Sequence, residues 1–150
     1  MISSVDTVST HEIIHNQELL FENQFGQVFK VCEEVILVKA TGSYIPIDDF
    51  KELFEQAGLA VKARQFKKLI FDKRNLKVFH QPSMVWYFTE WKESMYELGL
   101  TIHRKILPKD PVFRECVKLG RENLSKEYPE AKFHKMDIQY RFTVEEAIAD

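Results

Sequence analysis

The sequence predicts an α/β fold in which a mixed, mostly parallel sheet of about five strands packs against helices. One observation is the apolar run at residues 67–72, which ends at Asp72 and is followed by a helix that begins at Pro82. A second is that strand-like runs alternate with segments whose apolar residues recur every three to four positions, the pattern of βαβ units. A chain of 150 residues, 45% of them hydrophobic, is long enough for one domain with a substantial core.

The domain is predicted to open with a β-hairpin. Residues 28–32 and 35–40 are rich in β-branched side chains, and two glutamates separate them. Residues 18–21 fit either a short strand or one helical turn. The beginning of the chain is polar, so we expect residues 1–16 to form a mobile tail ahead of a single domain at residues 17–150.

Helices and strands are then predicted in alternation. Pro46, Pro82 and Pro111 each stand where a helix can begin, because a proline in the first turn loses no hydrogen bond. The first of these helices ends at Gly58 or continues to Gln65. A capping box of Thr143 and Glu146 begins a short terminal helix. The strands between the helices are predicted at residues 67–72, 101–107 and 131–140.

The helix from Pro82 carries more aromatic side chains than one face can bury. Consecutive residues diverge by about 100° around a helix axis. We therefore expect Phe88 and Trp91 to face the sheet, and Trp86 and Tyr87 to point elsewhere. Three roles are open for the second pair: lining a pocket for an apolar ligand, forming a homodimer interface, or packing beneath the N-terminal segment.

The composition argues against several classes of protein. A net charge of −2 provides no general attraction to nucleic acid or to an anionic membrane. Cys32 and Cys116 lie in apolar patterns without a CxxC spacing, so we expect reduced core thiols rather than a disulfide or a metal site. The sequence contains no apparent signal peptide and no apolar run of about 20 residues. We therefore expect a cytoplasmic protein with no membrane span.

A basic segment at residues 62–77 includes the end of the central predicted strand. Asp72, Lys73 and Arg74 stand at its carboxyl end, where open α/β sheets usually bind ligands. The functional interpretation is an edge that binds an anion or a partner, and the alternative is a solvated flank. Asp72 fits either a direct ligand contact or a turn cap. It has no partner carboxylate in the pattern, so no catalytic residue is predicted.

The segment from His11 to His15 has the HExxH spacing of zinc proteases, with Glu12 as the residue that would activate water. It precedes every predicted strand, and no downstream residue stands out as a third ligand. We therefore predict no metal ligand and no cofactor, and a zinc hydrolase is the last of our hypotheses.

The stretch from Val35 to the end resembles a bacterial branch of the STAS-like family, also called anti-anti-sigma-factor-like and grouped with Sec14-type lipid-binding domains. The order of several short motifs carries this resemblance: strand 35–42 ending in Gly42, the helix from Pro46, strand 68–72 ending in Asp72, Glu90-Trp91, Ile106-Leu107-Pro108, Tyr140-Arg141-Phe142, and Glu145-Glu146-Ala147. The resemblance implies a STAS-like α/β domain that is a regulatory or ligand-binding module.

One branch of that family is phosphorylated on Ser or Thr at the start of the helix after the Asp-ended strand. The Asp-Ser pair of that branch is absent here, and Ser83 is the serine nearest to that position. A phosphate on Ser83 would lie in the first helical turn, which favours an anion. The alternative is a serine that only helps to begin the helix.

Three functions remain open from the sequence. The first is a non-enzymatic regulatory or protein-interaction module that binds an unidentified protein partner. The second is a carrier or sensor of a small apolar or lipid-like ligand, and the third is the zinc hydrolase. The candidate residues for binding a ligand or partner are Asp72, Lys73, Arg74, Ser83, Trp86 and Tyr87.

Overall fold

A computed structural model describes residues 17–150 and confirms the α/β class. Its six-stranded sheet has the strands in chain order, one more than the approximate number predicted. The strands are β1 (Glu18–Glu22), β2 (Gly26–Cys32), β3 (Val35–Ala40), β4 (Lys68–Asp72), β5 (Ile102–Ile106) and β6 (Asp137–Tyr140). The helices are α1 (Ile47–Arg64), α2 (Gln81–Trp86), α3 (Lys92–Glu97), α4 (Pro111–Glu127) and α5 (Val144–Ala149).

The pairing of the strands follows from the lengths of their connections. β1, β2 and β3 are antiparallel neighbours joined by short turns, so the predicted hairpin is confirmed and residues 18–22 are a strand. β3 to β6 pair in parallel, and each crossover contains a helix. Right-handed crossovers between strands in consecutive order return the helices within them to the same face of the sheet.

Two apolar clusters lie on opposite faces of the sheet. The larger one joins the inward faces of α1, α2, α3 and α4 to the strands, with Phe54 and Phe71 among its fully buried members. The smaller one packs α5 against Leu37, Ile70 and Ile106. The parallel strands are therefore covered on both sides, which explains why residues 68–72 are all buried.

The helix α1 continues past Gly58 to Arg64, and Gln65 ends it in a left-handed conformation. Gly58 is buried inside the helix because Trp91 lies close to it: a β-carbon there would stand 3.2 Å from the Trp91 indole nitrogen. That nitrogen donates a hydrogen bond to the Phe54 carbonyl, 2.6 Å away. The glycine allows this close approach rather than ending the helix.

The helical segment around Tyr87 differs from the regular helix that the sequence predicts. A π-helical turn, Tyr87–Trp91, joins α2 to α3, and the Lys92 amide bonds to the Tyr87 carbonyl five residues earlier. Tyr87 lies on the inner side of this turn, where its ring stacks on Trp91 at 5.5 Å. The prediction that Tyr87 points away from the sheet is therefore wrong, since its side chain is buried and its ring lies 5.8 Å from that of Phe71.

The predicted strand at 131–140 is wrong in its first half. Lys132–Lys135 form a turn of 3₁₀-helix, and the strand begins only at Asp137. Phe133 and Met136 are both buried, at the three-residue spacing that a 3₁₀ turn puts on one side. His134 therefore lies in this turn and not in a strand.

The first turns of α4 and α5 have the N-cap residues that the sequence predicts. The Asp110 carboxylate accepts a hydrogen bond from the Val112 amide at the start of α4, and Thr143 accepts one from the Glu146 amide at the start of α5. Cys32 and Cys116 are half-buried free thiols. No helix within residues 17–150 has the length and apolar character needed to cross a membrane.

Candidate functional site

A narrow cleft opens at the carboxyl end of β4, where parallel sheets usually bind ligands, and most of its lining comes from the connection between β4 and β5. We call it the β4–β5 cleft. Three of its polar lining residues are Lys73, Ser83 and Tyr87, and its volume is about 40 Å³. Its apolar walls include Phe50, Phe71, Leu76, Phe79, Met84 and Phe113.

Three of the six residues predicted from the sequence meet in this cleft. Lys73 directly follows β4, whereas Ser83 and Tyr87 come from the helical segment that crosses above it. Ser83 is buried, and its hydroxyl lies 2.9 Å from the His80 Nδ1. The cleft therefore combines an amine, a hydroxyl paired with an imidazole, and a phenol with apolar walls.

Asp72 and Arg74 form a pair outside this cleft. The Arg74 guanidinium donates to both Asp72 carboxylate oxygens, at 3.0 and 2.8 Å, and the Arg74 amide donates to one of them at 3.1 Å. These bonds raise the pKa of Arg74. Asp72 is buried and already fully engaged, as expected of a carboxylate that holds a turn.

Trp86 also lies away from the cleft. Its ring makes an edge contact with Phe50 at 6.1 Å, and the Lys51 ammonium lies 5.8 Å from its centroid. Trp86 lines a shallow surface depression beside Gly58 and Met95 instead. The structure thus separates the two aromatic residues that the sequence placed together.

Lys73 is unusual because its amine is buried. Only 7% of the residue is exposed, and its Nζ lies 4.8 Å from the Phe71 ring centroid. Burial, together with the positive charge of Arg121, lowers the pKa of Lys73 to about 8. The Lys73 amine therefore loses its proton at a lower pH than an exposed lysine does.

Two further lysines lie in the same interior, and sequence reasoning missed both. Lys92 and Lys105 have no exposed surface, and their Nζ atoms lie 4.8 and 4.3 Å from the Phe88 ring centroid. Lys92 also lies 4.5 Å from the Tyr87 ring centroid. Burial lowers the pKa of each well below its ordinary value, and the charge of Lys73 lowers both further. We call Lys73, Lys92, Lys105 and the Tyr87 hydroxyl the buried amine cluster.

Lys92 has a defined partner in His103. The His103 Nε2 lies 2.8 Å from the Leu100 carbonyl, which can only accept, so this nitrogen carries the proton. The His103 Nδ1 is then an acceptor, and Lys92 donates to it across 2.8 Å. Burial and the charge of Lys92 lower the pKa of His103 well below its ordinary value, which keeps the ring neutral.

Lys105 and Tyr87 differ from Lys92 in this respect. Within residues 17–150, the Lys105 Nζ and the Tyr87 hydroxyl are buried side-chain atoms with no hydrogen-bond partner. Burial raises the pKa of Tyr87, so the phenol stays protonated and able to donate. Buried polar atoms in native proteins nearly always have a partner, so each exception calls for an explanation.

A sequence signal for the two missed lysines exists in hindsight. Lys92 stands four residues after Phe88, and therefore on the same helical stripe. Lys105 stands two residues after His103, and so on the helix-facing side of β5. Lysines at core positions of both periodic patterns indicate buried amines.

The basic segment at 62–77 does not form one surface. Lys62 lies near the carboxyl end of α1, on the side of the sheet where β4 begins, whereas Lys73 lies where β4 ends. The Lys68 amine crosses to the other face of the sheet and donates to the Ala147 carbonyl at 2.9 Å. Only Lys73 of this segment joins the buried amine cluster.

The HExxH segment, with His11, Glu12 and His15, lies outside the described residues. Within residues 17–150, no group of three or more His, Cys, Asp or Glu side chains is arranged to hold a metal ion.

No family model, no curated protein and no solved structure matches this chain. The STAS-like resemblance stays a prediction, and the function has to be inferred from the chemistry of the site.

Proposed function

We propose that this chain is a regulatory binding module whose ligand is a small anion with an apolar body, held in the β4–β5 cleft. The acidic group points into the buried amine cluster, and the body lies against the aromatic walls. One observation carries this proposal: the Lys105 Nζ and the Tyr87 hydroxyl are buried without a partner.

The charge balance of the cluster supports an anionic ligand. The side chains lowering the pKa values of Lys92 and Lys105 are positively charged, and no carboxylate of the described residues raises either pKa. A buried charge without a partner costs several kcal/mol, on the order of the effective penalty per ion in real proteins. In the empty site the protonated forms of these amines are therefore disfavoured, and a bound anion favours them again.

The size of the cleft limits the ligand. A volume of about 40 Å³ is close to the space that one water molecule occupies in the liquid, about 30 Å³. A ligand therefore has to displace the segment from Leu76 to His80, which has no helix or strand of its own. That segment is attached to the neighbouring loop through hydrogen bonds from the Lys77 and Val78 amides to the Ser43 carbonyl. A short aliphatic or aromatic acid fits this opening better than a full-length lipid.

A thermal-shift titration tests the proposal with benzoate, octanoate, phenyl phosphate and inorganic phosphate as probes. Benzyl alcohol serves as the neutral control and benzylamine as the cationic one. The apolar anions are expected to raise the melting temperature in proportion to log concentration above their dissociation constants. Carboxylate and phosphate probes distinguish the two kinds of acidic group, and inorganic phosphate tests whether the apolar body is needed.

Two variants test whether a ligand-induced shift in melting temperature depends on the buried amine cluster. Lys105→Met and Tyr87→Phe remove the two unpartnered polar atoms with little change in shape, and each is expected to reduce the shift. Lys62→Met alters an exposed lysine on α1 and is expected to leave it unchanged. The proposal is wrong if none of the anions shifts the melting temperature, or if the shift survives both cluster substitutions.

A further inference from the structure

A second site lies at the carboxyl ends of β5 and β6, at the β6 edge of the described sheet and apart from the β4–β5 cleft. Leu107, Tyr140 and Phe142 form an apolar groove of about 290 Å³ together with Arg114, Lys118 and Arg141. We call it the β6 groove. Phe142 is 73% exposed and Tyr140 is 44% exposed. Two large aromatic side chains, Tyr140 at the end of β6 and Phe142 two residues later, are therefore exposed to solvent.

The polar lining of this groove is entirely cationic. Its three charged members are Arg114, Lys118 and Arg141, and no carboxylate of the described residues lines it. The Arg114 Nε donates a hydrogen bond to the Pro108 carbonyl at 2.7 Å, and this bond fixes the position of the side chain. Arg141 is partly neutralised by Asp150, which lies 2.7 Å away, whereas Lys118 is exposed. The local positive charge contrasts with a net charge of −2 for the chain.

The strand beside the groove has one open side. In the described sheet β6 pairs only with β5. The Asp137 and Arg141 amides donate to the Thr101 and Lys105 carbonyls of the β5 segment. Because backbone groups alternate in direction along a strand, the Ile138 and Tyr140 amides face outward. An edge of this kind can accept an additional strand.

We infer that the β6 groove docks an acidic, extended segment of another protein. Its backbone pairs with the open edge of β6, an apolar side chain enters between Tyr140 and Phe142, and its carboxylates face Arg114 and Lys118. Charge complementarity selects this occupant over a second copy of the chain. A two-fold interface at this edge would bring Lys118 and its neighbouring cations close to their own equivalents.

Selection from a random peptide display library on the intact protein tests this inference. We expect the selected peptides to be enriched in Asp and Glu around one aromatic or aliphatic residue. Their binding, measured by fluorescence anisotropy, is expected to weaken about tenfold or more in Phe142→Ala and in Lys118→Glu. Both residues are exposed, so neither substitution threatens folding, and Lys62→Glu on α1 is the matched control.

Several outcomes would overturn the inference. One is a selection that yields no peptide, or peptides without acidic enrichment. Another is binding that Phe142→Ala and Lys118→Glu leave unchanged. Vesicles of phosphatidylglycerol that bind the wild type but not these variants would assign the groove to a membrane surface. A dimer in light scattering that Phe142→Ala dissociates would assign it to a second copy.

Discussion

Lys92 and Lys105 occupy positions where a methionine or leucine would satisfy the packing. Both are fully buried beside the Phe88 ring, and only Lys92 has a hydrogen-bond partner among residues 17–150. Since burial disfavours the charged form of an amine, these side chains reduce the stability of the empty protein. A residue that costs stability in the empty protein is expected to serve a ligand.

Replacing Lys105 with methionine is the simplest test of this cost. We expect Lys105→Met to increase the free energy of unfolding by about 1–3 kcal/mol at pH 7, because the variant removes an unsatisfied buried polar group and keeps its volume. Urea denaturation measures the change. Lys62→Met on the exposed surface should stay within about 0.5 kcal/mol of the wild type. A destabilised Lys105→Met protein would mean that the amine has a favourable contact in the folded state.

The pH dependence of stability reports on Lys73. Its pKa falls from 10.5 in the unfolded chain to about 8 in the folded protein, so between these values the unfolded state binds more protons. Stability therefore rises with pH from about 8, up to a slope of about 1.4 kcal/mol per pH unit for one group. Tyr87, whose folded pKa is raised, opposes this trend above its ordinary pKa of 10.

Urea denaturation of the wild type and of Lys73→Met between pH 8 and pH 10 measures this contribution. The slope of stability against pH is expected to be smaller in the variant. Lys92 and Lys105 contribute slopes of the same sign, so some dependence remains. Parallel curves for the two proteins would show that the folded protein does not depress the pKa of Lys73.

The sequence identified part of the candidate site at the level of residues. Lys73 was identified because it stands in the basic segment at the carboxyl end of an apolar strand. Ser83 was identified from the phosphorylation position that the family resemblance implies, and Tyr87 because its helix carries more aromatic side chains than one face can bury. Lys92 and Lys105 were missed because a lysine is usually solvated, whatever its place in a periodic pattern. Asp72 and Arg74 were grouped with Lys73 by their proximity in the chain, but their side chains pair with each other outside the cleft.

At the level of elements, the π-helical turn carries the aromatic side chains beside the buried amine cluster. Tyr87, Phe88, Trp91 and Lys92 are all buried around this turn, and in a regular helix the same four positions would span an arc of about 140°. Such turns are frequently found at functional sites. Tyr87, the first residue of this turn, lines the β4–β5 cleft, which agrees with that tendency.

Deleting Thr89 tests the importance of this turn. The deletion removes the extra residue of this turn, so a regular α-helix can form while α2 and α3 keep about the same relative orientation. We expect a loss of stability on the order of 1 kcal/mol, because the packing of the Tyr87 ring on Trp91 is disturbed. Thr89→Ala keeps the chain length and loses only the hydroxyl bond to the Val85 carbonyl, so it is the control. A deletion variant as stable as Thr89→Ala would contradict the assignment.

The elements themselves were largely predictable. The spacing of apolar residues and the positions of glycine and proline were enough to predict three features. These are the hairpin, the parallel strands at 68–72 and 102–106, and the helices that begin near proline. The π turn and the 3₁₀ turn were not predictable, because both depend on which aromatic side chains pack together. Phe133 lies 5.1 Å from the Phe88 ring, a contact between residues 45 positions apart.

The whole molecule depends on α5 to cover the second face of the sheet. Lys68 attaches this helix by donating to the Ala147 and Ile148 carbonyls near its carboxyl end, at 2.9 and 3.4 Å. Arg104 is buried beneath the same segment and bonds to Asp137 and Asp150. These contacts hold a six-residue helix that would be unstable alone.

Substituting Lys68 should therefore weaken the attachment of α5. We expect Lys68→Met to lower the free energy of unfolding by about 1–3 kcal/mol, since buried carbonyls lose their donor. This sign is opposite to that expected for Lys105→Met, although both are buried lysines. Urea denaturation distinguishes them, and equal shifts in both variants would contradict the distinction between a partnered and an unpartnered amine.

The central claim is that the buried amine cluster receives an anion, and calorimetric titration with benzoate at pH 8 tests it most directly. Titration in two buffers with different ionisation enthalpies measures the protons exchanged on binding. Because a bound carboxylate favours the charged amines, we expect proton uptake, and we expect Lys105→Met to reduce it. Binding without proton uptake, or uptake that Lys105→Met leaves unchanged, would contradict the claim.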